Sequence, residues 1–304
     1  MARRRRGLPV DGVLLLDKPR GMSSNHALQR ARRLLQAQKA GHTGTLDPMA
    51  SGLLPVCLGE ATKFSSHLLE ADKRYRARVH LGEITDTGDA EGEVIERRPV
   101  AAFEVADIDA VLARFRGEIE QVPPMYSALK HQGRPLYELA RQGKTIERAP
   151  RRVRVYDTRL LTLDTEGFEL EVSCSKGTYI RTLAEDIGQA LGCGAHLTAL
   201  RRLKTGPFEA VDMATLESLE ACRDQAERES ALLPMDVLVA HLPRLAVEPG
   251  AARRLLHGQR VTTDTAALSA DSAARVYRDG TFLGLVTVTA AGEIAPRRLL
   301  ASAA

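Results

Sequence analysis

The sequence has no tryptophan, only 4% aromatic residues and four cysteines. Cys57, Cys174, Cys193 and Cys222 are scattered and form no C-x-x-C pair, which argues against a zinc site. We therefore expect reduced thiols in a cytoplasm and no bound metal. No apolar run is long enough to cross a bilayer, and no apolar signal core follows the arginine-rich start. We expect neither a membrane segment nor a secretory signal.

The size and the composition are those of a globular protein. The chain has 304 residues, of which 27% are charged and 44% are apolar. This length allows a sizeable core and is enough for two domains.

Positive charge is concentrated in two places, although the net charge is only +4. Residues 1–6 carry four arginines, and residues 125–154 carry eight Lys or Arg against two acids. We name residues 125–154 the basic segment. Local basic patches on a near-neutral body favour a polyanionic partner such as nucleic acid. The alternative is an ordinary solvated surface.

Hydrophobic periodicity predicts both helices and strands in the first half of the chain. Apolar residues at helical spacing predict helices over residues 24–38, 60–70 and 106–116. A short apolar strand is expected from Gly12, and "KRYRARVHLG" predicts a half-buried strand with Tyr75 facing inward. The acidic, glycine-rich stretch after Leu81 is expected to begin as a loop.

The second half is also mixed. Residues 168–174 alternate as a strand, and Thr178 is expected to cap a helix that ends near Gly192. A boundary is expected within residues 241–250, followed by short strands with a hairpin turn at Asp279-Gly280. Strands and helices do not alternate as regular βαβ units, so we predict an α+β fold.

The stretch "GHTGTLDPMASG", residues 41–52, contains the only acid between Asp17 and Glu60, in a segment rich in Lys and Arg. A phosphate-binding loop is disfavoured, because no Lys-Ser or Lys-Thr follows the glycines. Asp47 before Pro48 is also a good helix cap. The third alternative is catalysis: surrounding cations would lower the pKa of Asp47 and keep it ionised, as a nucleophile or a base. No second acid lies close in sequence for a two-carboxylate glycosidase.

This stretch resembles the signature of the TruB family of tRNA pseudouridine synthases, and other motifs agree in the family's order. They are "GVLLLDKPRGMSS", "LGEATKF", "DKRYRA", "LGEITDTGDAEG", "QVPPMYSALKHQGRPLYELARQG", "CSKGTYIRTLAEDIG" and "GCGAHLTALRRLKTGPF". The resemblance implies the pseudouridine synthase fold, with a central mixed, mainly antiparallel sheet flanked by helices. It implies a basic arm at 1–9, a catalytic domain at 10–242 with an RNA-gripping insertion at about 122–154, and a PUA-like β-barrel RNA-binding domain at 243–304.

The resemblance also implies an activity and a site. Members of the family isomerise one uridine of the tRNA T-loop, position 55, by base flipping and an aspartate-dependent exchange of the C1′–N1 bond for a C1′–C5 bond. The implied catalytic residues are Asp47, Tyr75 and Arg181, with Arg181 paired to the aspartate. The implied substrate-binding residues are His42, Tyr75, Tyr179, Leu200, Lys18, Lys130, Arg141 and Lys144. No cofactor is implied, and we expect a cytoplasmic monomer that binds the tRNA T-arm without a protein partner.

Two further functions stay open at this point. A non-catalytic RNA-binding protein or folding helper would use the same basic surface. Guide-RNA-dependent pseudouridine synthases share the catalytic motifs. The stretch "GHTGTLDPMASG", the complete "PPMYSALK…YELARQG" insertion and the absence of long basic tails favour the stand-alone tRNA enzyme over the guide-dependent one.

Overall fold

The computed structural model describes residues 7–265 and 268–301. The four arginines of the N-terminal arm therefore lie outside the described residues. The described chain forms one large sheet, one five-stranded sheet near its C-terminal end and two short hairpins.

The strands are, in chain order, β1 (Gly12–Lys18), β2 (Ala40–His42), β3 (Ala50–Leu58), β4 (Lys73–Leu81), β5 (Glu83–Thr85), β6 (Val94–Arg97), β7 (Gly117–Gln121), β8 (Lys130–His131), β9 (Arg134–Pro135), β10 (Arg151–Asp164), β11 (Gly167–Cys174), β12 (Ala195–Thr205), β13 (Phe208–Glu209), β14 (Leu232–Leu233), β15 (Arg244–Ala246), β16 (Val261–Thr262), β17 (Ala273–Arg278), β18 (Thr281–Val288) and β19 (Glu293–Leu299). The helices are α1 (Ser24–Leu34), α2 (Ser66–Leu69), α3 (Val105–Arg114), α4 (Leu136–Ala140), α5 (Ile180–Ala190), α6 (Leu216–Ala221), α7 (Gln225–Glu229) and α8 (Pro249–Leu256). Two 3₁₀ turns span Gly59–Lys63 and Met235–Val239.

The large sheet is mixed and mainly antiparallel, as predicted. Its strand order is β14-β1-β3-β12-β4-β11-β10-β7, with β2 paired to β3 and β13 paired to β12. The β3–β12 pair is parallel and sets Leu200 opposite Ala50, while β12 and β4 are antiparallel neighbours. This junction brings the end of the Asp47 loop next to the centre of the sheet.

Both faces of the sheet are covered, which explains why "GLLPVCL" in β3 reads as one apolar run. Leu54 and Val56 pack with α1 and α6 on one side, and Leu53 and Cys57 contribute to a cluster on the other. Further along the sheet, α3 and α5 cover a cluster that includes Tyr75. Alternation of buried and more exposed residues along β4 follows the two-residue period of a strand.

The five-stranded sheet, in the order β15-β17-β18-β19-β16, encloses an apolar cluster of its own with α8. The β17–β18 turn is the two-residue hairpin predicted at Asp279-Gly280, and both residues have positive φ, 49° and 80°. The sheet packs against the large one: the Phe64 and Phe282 rings are 5.5 Å apart, and Lys63 Nζ donates to the Leu299 carbonyl at 3.0 Å.

Several predicted elements differ in the structure. The helix expected over 24–38 ends at Leu34, because Gln36 turns to a φ of 51°. The helix expected over 60–70 is instead a 3₁₀ turn followed by the four-residue α2.

Three local predictions are also corrected. Asp47 caps no helix, since the chain enters β3 at Ala50. Thr178 does not cap α5: Tyr179 takes the cap position, and the Thr178 hydroxyl donates to the Ser175 carbonyl at 3.0 Å. The stretch after Leu81, expected to begin as a loop, begins instead with β5, which pairs with β6 in an antiparallel hairpin.

Candidate active site

The loop between β2 and β3 carries Asp47 and is fixed by hydrogen bonds from outside it. Ser24, at the start of α1, accepts a hydrogen bond from the Leu46 amide at 2.7 Å and donates to the Leu46 carbonyl at 2.9 Å. The Gly21 amide donates to the Pro48 carbonyl at 2.8 Å. The backbone on either side of Asp47 is therefore held in place.

Lys18 lies fully buried beneath this loop, at the end of β1. Its ammonium group donates to the backbone carbonyls of Pro19 at 2.9 Å, Met22 at 2.5 Å and Pro48 at 3.4 Å. Burial lowers the pKa of Lys18 to about 8, against the attraction of Asp47. The resemblance implies that Lys18 binds substrate, and its enclosure among backbone carbonyls favours support of the Asp47 loop.

The Arg181 guanidinium faces the Asp47 carboxylate from the first turn of α5. Arg181 Nη2 lies 3.1 Å from Asp47 Oδ2, and Arg181 Nη1 lies 3.5 Å from Asp89 Oδ2. Only 4% of the Arg181 side chain is exposed, so these ion pairs are well shielded from water. Asp89 is itself held by the Thr87 hydroxyl at 2.7 Å and the Glu91 amide at 3.0 Å. One cation thus links two carboxylates.

Backbone carbonyls and one buried amide fix the start of α5. Arg181 donates to the Thr87 carbonyl at 2.9 Å and to the Tyr126 carbonyl at 2.5 Å. The Gln121 side chain accepts from the Tyr179 amide at 3.0 Å and donates to the Tyr179 carbonyl at 3.2 Å. The guanidinium therefore has little freedom to leave the two aspartates.

The electrostatics of Asp47 differ from the expectation. Removal of the carboxylate from water raises its pKa, Arg181 opposes that shift, and the nearby Asp89 charge adds to it. The predicted lowering of the pKa by surrounding cations is therefore wrong, because the sequence does not reveal how deeply the loop is buried. A raised pKa makes the ionised carboxylate a stronger base and nucleophile than a solvated aspartate. The Asp47 side chain keeps 36% of its surface open, toward a cavity.

This cavity has a volume of about 260 Å³, and we name it the Asp47 cavity. It is smaller than the roughly 300–1,000 Å³ of common ligand and cofactor pockets, and a single planar ring suits it better than a dinucleotide. Its lining residues are Gly44, Thr45, Leu46, Asp47, Leu69, Lys73, Tyr75, Ser127, Ala128, Ser175, Gly177, Thr178, Tyr179, Ile180, Arg181, Leu200 and Arg202.

Tyr75 and Leu200 supply the flat apolar walls of the cavity. Both are nearly buried, at 9% and 7% exposure, on the adjacent strands β4 and β12. Burial raises the pKa of the Tyr75 hydroxyl, so the phenol is neutral at neutral pH. An aromatic ring and an aliphatic side chain at this depth are suited to hold a planar base by stacking and apolar contact.

Tyr179 and His42, also predicted to bind substrate, lie in different places. Tyr179 lines the Asp47 cavity at the start of α5. His42 lies in β2, half-buried, outside the cavity lining. Its Nδ1 is buried and has no hydrogen-bond partner among the described residues, and burial together with Arg202 lowers the pKa of His42. A neutral imidazole at neutral pH follows.

The basic segment forms β8, β9, α4 and the start of β10, and several of its cations are exposed to solvent. Lys130, Arg141 and Lys144 are exposed, and in residues 7–265 and 268–301 no carboxylate lies within 4.0 Å of them. The buried Leu136 and Leu139 anchor the segment to the protein. These three cations are free to meet the phosphates of a bound polyanion.

Sequence reasoning missed several buried polar residues of the site, among them Asp89, Gln121 and Arg202. Asp89 lies in a stretch that reads as an acidic loop, and Arg202 follows another arginine in a strand that also carries His196 and Lys204. A signal was available only for Arg202, because a charged residue on the inward face of a strand breaks the alternation that its neighbours follow.

None of the helices in the described chain has the length and the hydropathy needed to cross a membrane. Within residues 7–265 and 268–301, no group of three or more His, Cys, Asp or Glu side chains is arranged to hold a metal ion.

Comparison with known sequence families gives the class of protein that this fold and site define. Residues 32–180 match "TruB family pseudouridylate synthase (N terminal domain)". Residues 181–240 match "tRNA pseudouridylate synthase B C-terminal domain", and residues 243–300 match "Pseudouridine synthase II TruB, C-terminal". The class is that of the pseudouridylate synthases.

Individual relatives narrow this class to a family. The chain is 71% identical to "tRNA pseudouridine synthase B" of Chromohalobacter salexigens, over 100% of this chain and 98% of that protein. It is 56% identical to the protein of the same name from Azoarcus sp., over 96% of each. The chain belongs to the TruB family.

Solved structures agree with this assignment at the level of the fold. One is a Cbf5-Nop10-Gar1 complex, with a TM-score of 0.68 and 27% identity over 95% of this chain and 84% of that chain. Another is the archaeal box H/ACA sRNP Nop10-Cbf5 complex, with a TM-score of 0.68 and 25% identity over 98% of this chain and 92% of that chain. The architecture is the pseudouridine synthase fold.

Proposed function

We propose that this chain is a tRNA pseudouridine synthase that isomerises the T-loop uridine, position 55, to pseudouridine. One observation carries the proposal: the Asp47 carboxylate, held 3.1 Å from Arg181, opens into a base-sized cavity walled by Tyr75 and Leu200. The names of the relatives point to the same reaction on the same substrate.

The proposed reaction rearranges bonds without a net change in composition. The C1′–N1 bond breaks, the uracil turns within the cavity, and C1′ forms a bond with C5. The proton on C5 is lost, and N1 gains one. Asp47 supplies an ionised carboxylate for attack on C1′, for attack on C6 or for removal of a sugar proton, and the three routes share this requirement. Arg181 holds that carboxylate, and no cofactor is needed for the balance.

The target base must leave its stack to reach Asp47, at a cost of a few kcal/mol. Tyr75 and Leu200 recover part of that cost by contact with the base, since base–aromatic stacking is worth about 1–3 kcal/mol. Tyr179 lines the same cavity, and His42 lies beside the Asp47 loop, where it would occupy space left by flipped bases. A loop of RNA, whose bases can be splayed out, suits such a cavity better than a duplex does.

The outer surface supplies the proposed grip on tRNA. Lys130, Arg141 and Lys144 would each neutralise a phosphate of the T-arm. The C-terminal unit, proposed at residues 243–304, would act as a PUA-like RNA-binding domain beside the catalytic domain at 10–242. The proposed site is complete within one chain, so the proposed working unit is a monomer. A tRNA substrate places that work in the cytoplasm.

Tritium release tests the proposal. Unmodified tRNA transcript carrying tritium at uridine C5 is incubated with the protein in the absence of any guide RNA, and release is followed with time. We expect release by the wild type and none by Asp47→Asn, with both proteins retaining tRNA on a filter. Binding by both without release from either would identify an RNA-binding module. Release that starts only when guide RNA is added would identify a guide-dependent enzyme.

A further inference from the structure

Arg202 is among the largest fully buried side chains of the protein, with 1% of the residue exposed. In the part of the chain that the structure describes, no carboxylate lies within 4.0 Å of its guanidinium. A buried cation without a charged partner is costly, so hydrogen bonds must hold it. The acceptors of those bonds are therefore informative.

The acceptors come from two separate parts of the chain, strand β3 and the Asp47 loop. Arg202 Nε donates to the Leu53 carbonyl at 2.7 Å, and Nη2 donates to the Gly44 carbonyl at 3.1 Å. The register of β12 and β4 sets Arg202 directly opposite Tyr75, and both line the cavity. Burial raises the pKa of the Tyr75 hydroxyl, and the nearby Arg202 guanidinium opposes that shift, so the two side chains interact across the strand pair. One guanidinium thus joins strand β3, the Asp47 loop and the ring of Tyr75.

Two glycines of the Asp47 stretch make room for this residue. Gly44 has a φ of +90°, and a Cβ there would lie 3.4 Å from Arg202 Nη1. Gly52 has a φ of +97°, and a Cβ there would lie 2.4 Å from the Arg202 carbonyl oxygen. The left-handed backbone explains glycine at both positions, and at Gly52 an added Cβ would also collide with the Arg202 backbone.

We propose that Arg202 is a positioning residue of the Asp47 cavity, whose guanidinium fixes the Tyr75 ring and the Gly44 end of the Asp47 loop relative to each other. The inference rests on the proposed function, because its main readout is pseudouridine formation. Arg202 acts on the walls of the cavity and lies away from the exposed cations, so its loss should lower kcat and leave tRNA binding intact.

The first test compares Arg202→Lys with Arg201→Lys. Arg201 is the matched control: it precedes Arg202 in β12 and pairs with Asp17 at 2.7 Å, with 39% of its side chain exposed. For Arg202→Lys we expect kcat to fall about 10- to 100-fold, the scale of a displaced reacting group. The tRNA Kd of both variants, and the kcat of Arg201→Lys, should stay within about twofold of the wild type. An unchanged kcat for Arg202→Lys, or a loss confined to tRNA affinity, would overturn the proposal.

The second test is a double-mutant cycle with Tyr75→Phe, which deletes the same contact without touching the buried charge. If Arg202 acts through Tyr75, the double variant is no slower than the slower single variant. If the fold losses in kcat of the two single variants multiply in the double variant, Arg202 does not act through Tyr75. Should Arg202→Lys fail to fold, Arg202→Gln takes its place in the cycle, because Tyr75→Phe alone would also report the direct role of Tyr75 at the base.

A third readout does not depend on activity. The chain has six tyrosines, so labelling their ring ¹³Cζ atoms gives a simple NMR spectrum in which Tyr75 is the signal absent from Tyr75→Phe. Arg202→Lys should move that signal, and Arg201→Lys should leave it in place. A signal that Arg202→Lys does not move would contradict the contact. If the wild type releases no tritium but the signal moves, the contact stands and the proposed function fails.

Discussion

Asp47 and Asp89 pair with different nitrogens of the same guanidinium: Arg181 Nη2 lies 3.1 Å from Asp47, and Arg181 Nη1 lies 3.5 Å from Asp89. Asp89 is nearly buried and is tied to its own loop by Thr87. Asp47 remains partly open to the cavity. Arg181 is therefore held by the Asp89 carboxylate while it orients that of Asp47, and loss of the cation would leave two like charges in a poorly hydrated place.

Arg181→Lys should keep the positive charge but lose the planar fork that reaches both aspartates. We expect kcat to fall about 10- to 100-fold, because one of the two carboxylates loses its partner and Asp47 gains freedom. The tRNA Kd should stay within about twofold. Tritium release and filter retention measure the two quantities. Arg98→Lys, in a surface pair with Glu96, is the control and should retain full activity.

The pH dependence follows from the raised pKa of Asp47. The carboxylate is the active form, so activity is lost as the pH falls through that pKa. Because the pKa is raised, the acidic limb of kcat/KM should lie at a higher pH than that of an ordinary aspartate. Rates on a T-arm transcript across acidic pH, with binding followed at each point, measure this limb. If kcat/KM stays constant as the pH falls to the pKa of an ordinary aspartate, the assignment of the acidic limb to Asp47 is contradicted.

The salt dependence of tRNA binding tests the basic segment. Arg141→Ala with Lys144→Ala removes two exposed cations, so the slope of log K against log salt should become less steep by roughly 1.4 to 1.8. Filter retention at a series of salt concentrations measures the slope. Arg97→Ala with Arg98→Ala is the matched control, since both arginines already pair with glutamates. An equal change in both double variants would point to net charge rather than to the basic segment.

Gly52→Ala should destabilise the protein strongly. The residue has a φ of +97°, and the added Cβ would lie 2.4 Å from the Arg202 carbonyl oxygen. The unfavourable conformation and the overpacking together should lower the free energy of unfolding by about 2–5 kcal/mol. Urea unfolding measures the change. Gly250→Ala, in α8 with nothing within 4 Å of the added Cβ, should leave the free energy of unfolding unchanged or raise it by up to about 1 kcal/mol.

The fold class and much of the candidate site could be predicted from the sequence, because they depend on local patterns or on matched motifs. The β4 alternation placed Tyr75 inward, and the resemblance of "GTYIRT" placed Arg181 near Asp47. These are local patterns or direct matches of residues. These two predictions therefore need no knowledge of the long-range packing.

The features that the sequence did not predict depend on contacts between distant parts of the chain. The pKa of Asp47 rises because the carboxylate is removed from water and because Asp89 lies near it, and neither cause is visible in the stretch around residue 47. The helix predicted over 60–70 gave way to shorter turns that pack against the C-terminal sheet. Tertiary contacts overrode local propensity at these places.

Strand β12 lies between β3 and β4, two strands that precede it by more than a hundred residues. The sheet can close only when β12 enters a gap between neighbours that were made earlier. Strand β12 contributes Leu200 and Arg202. A chain on the ribosome that has not yet made β12 therefore contains Asp47 and Tyr75 but lacks a complete pocket. The active site is therefore completed in one step, late in synthesis. A nascent or truncated chain that lacks β12 is expected to have no pseudouridine synthase activity on the surrounding tRNAs.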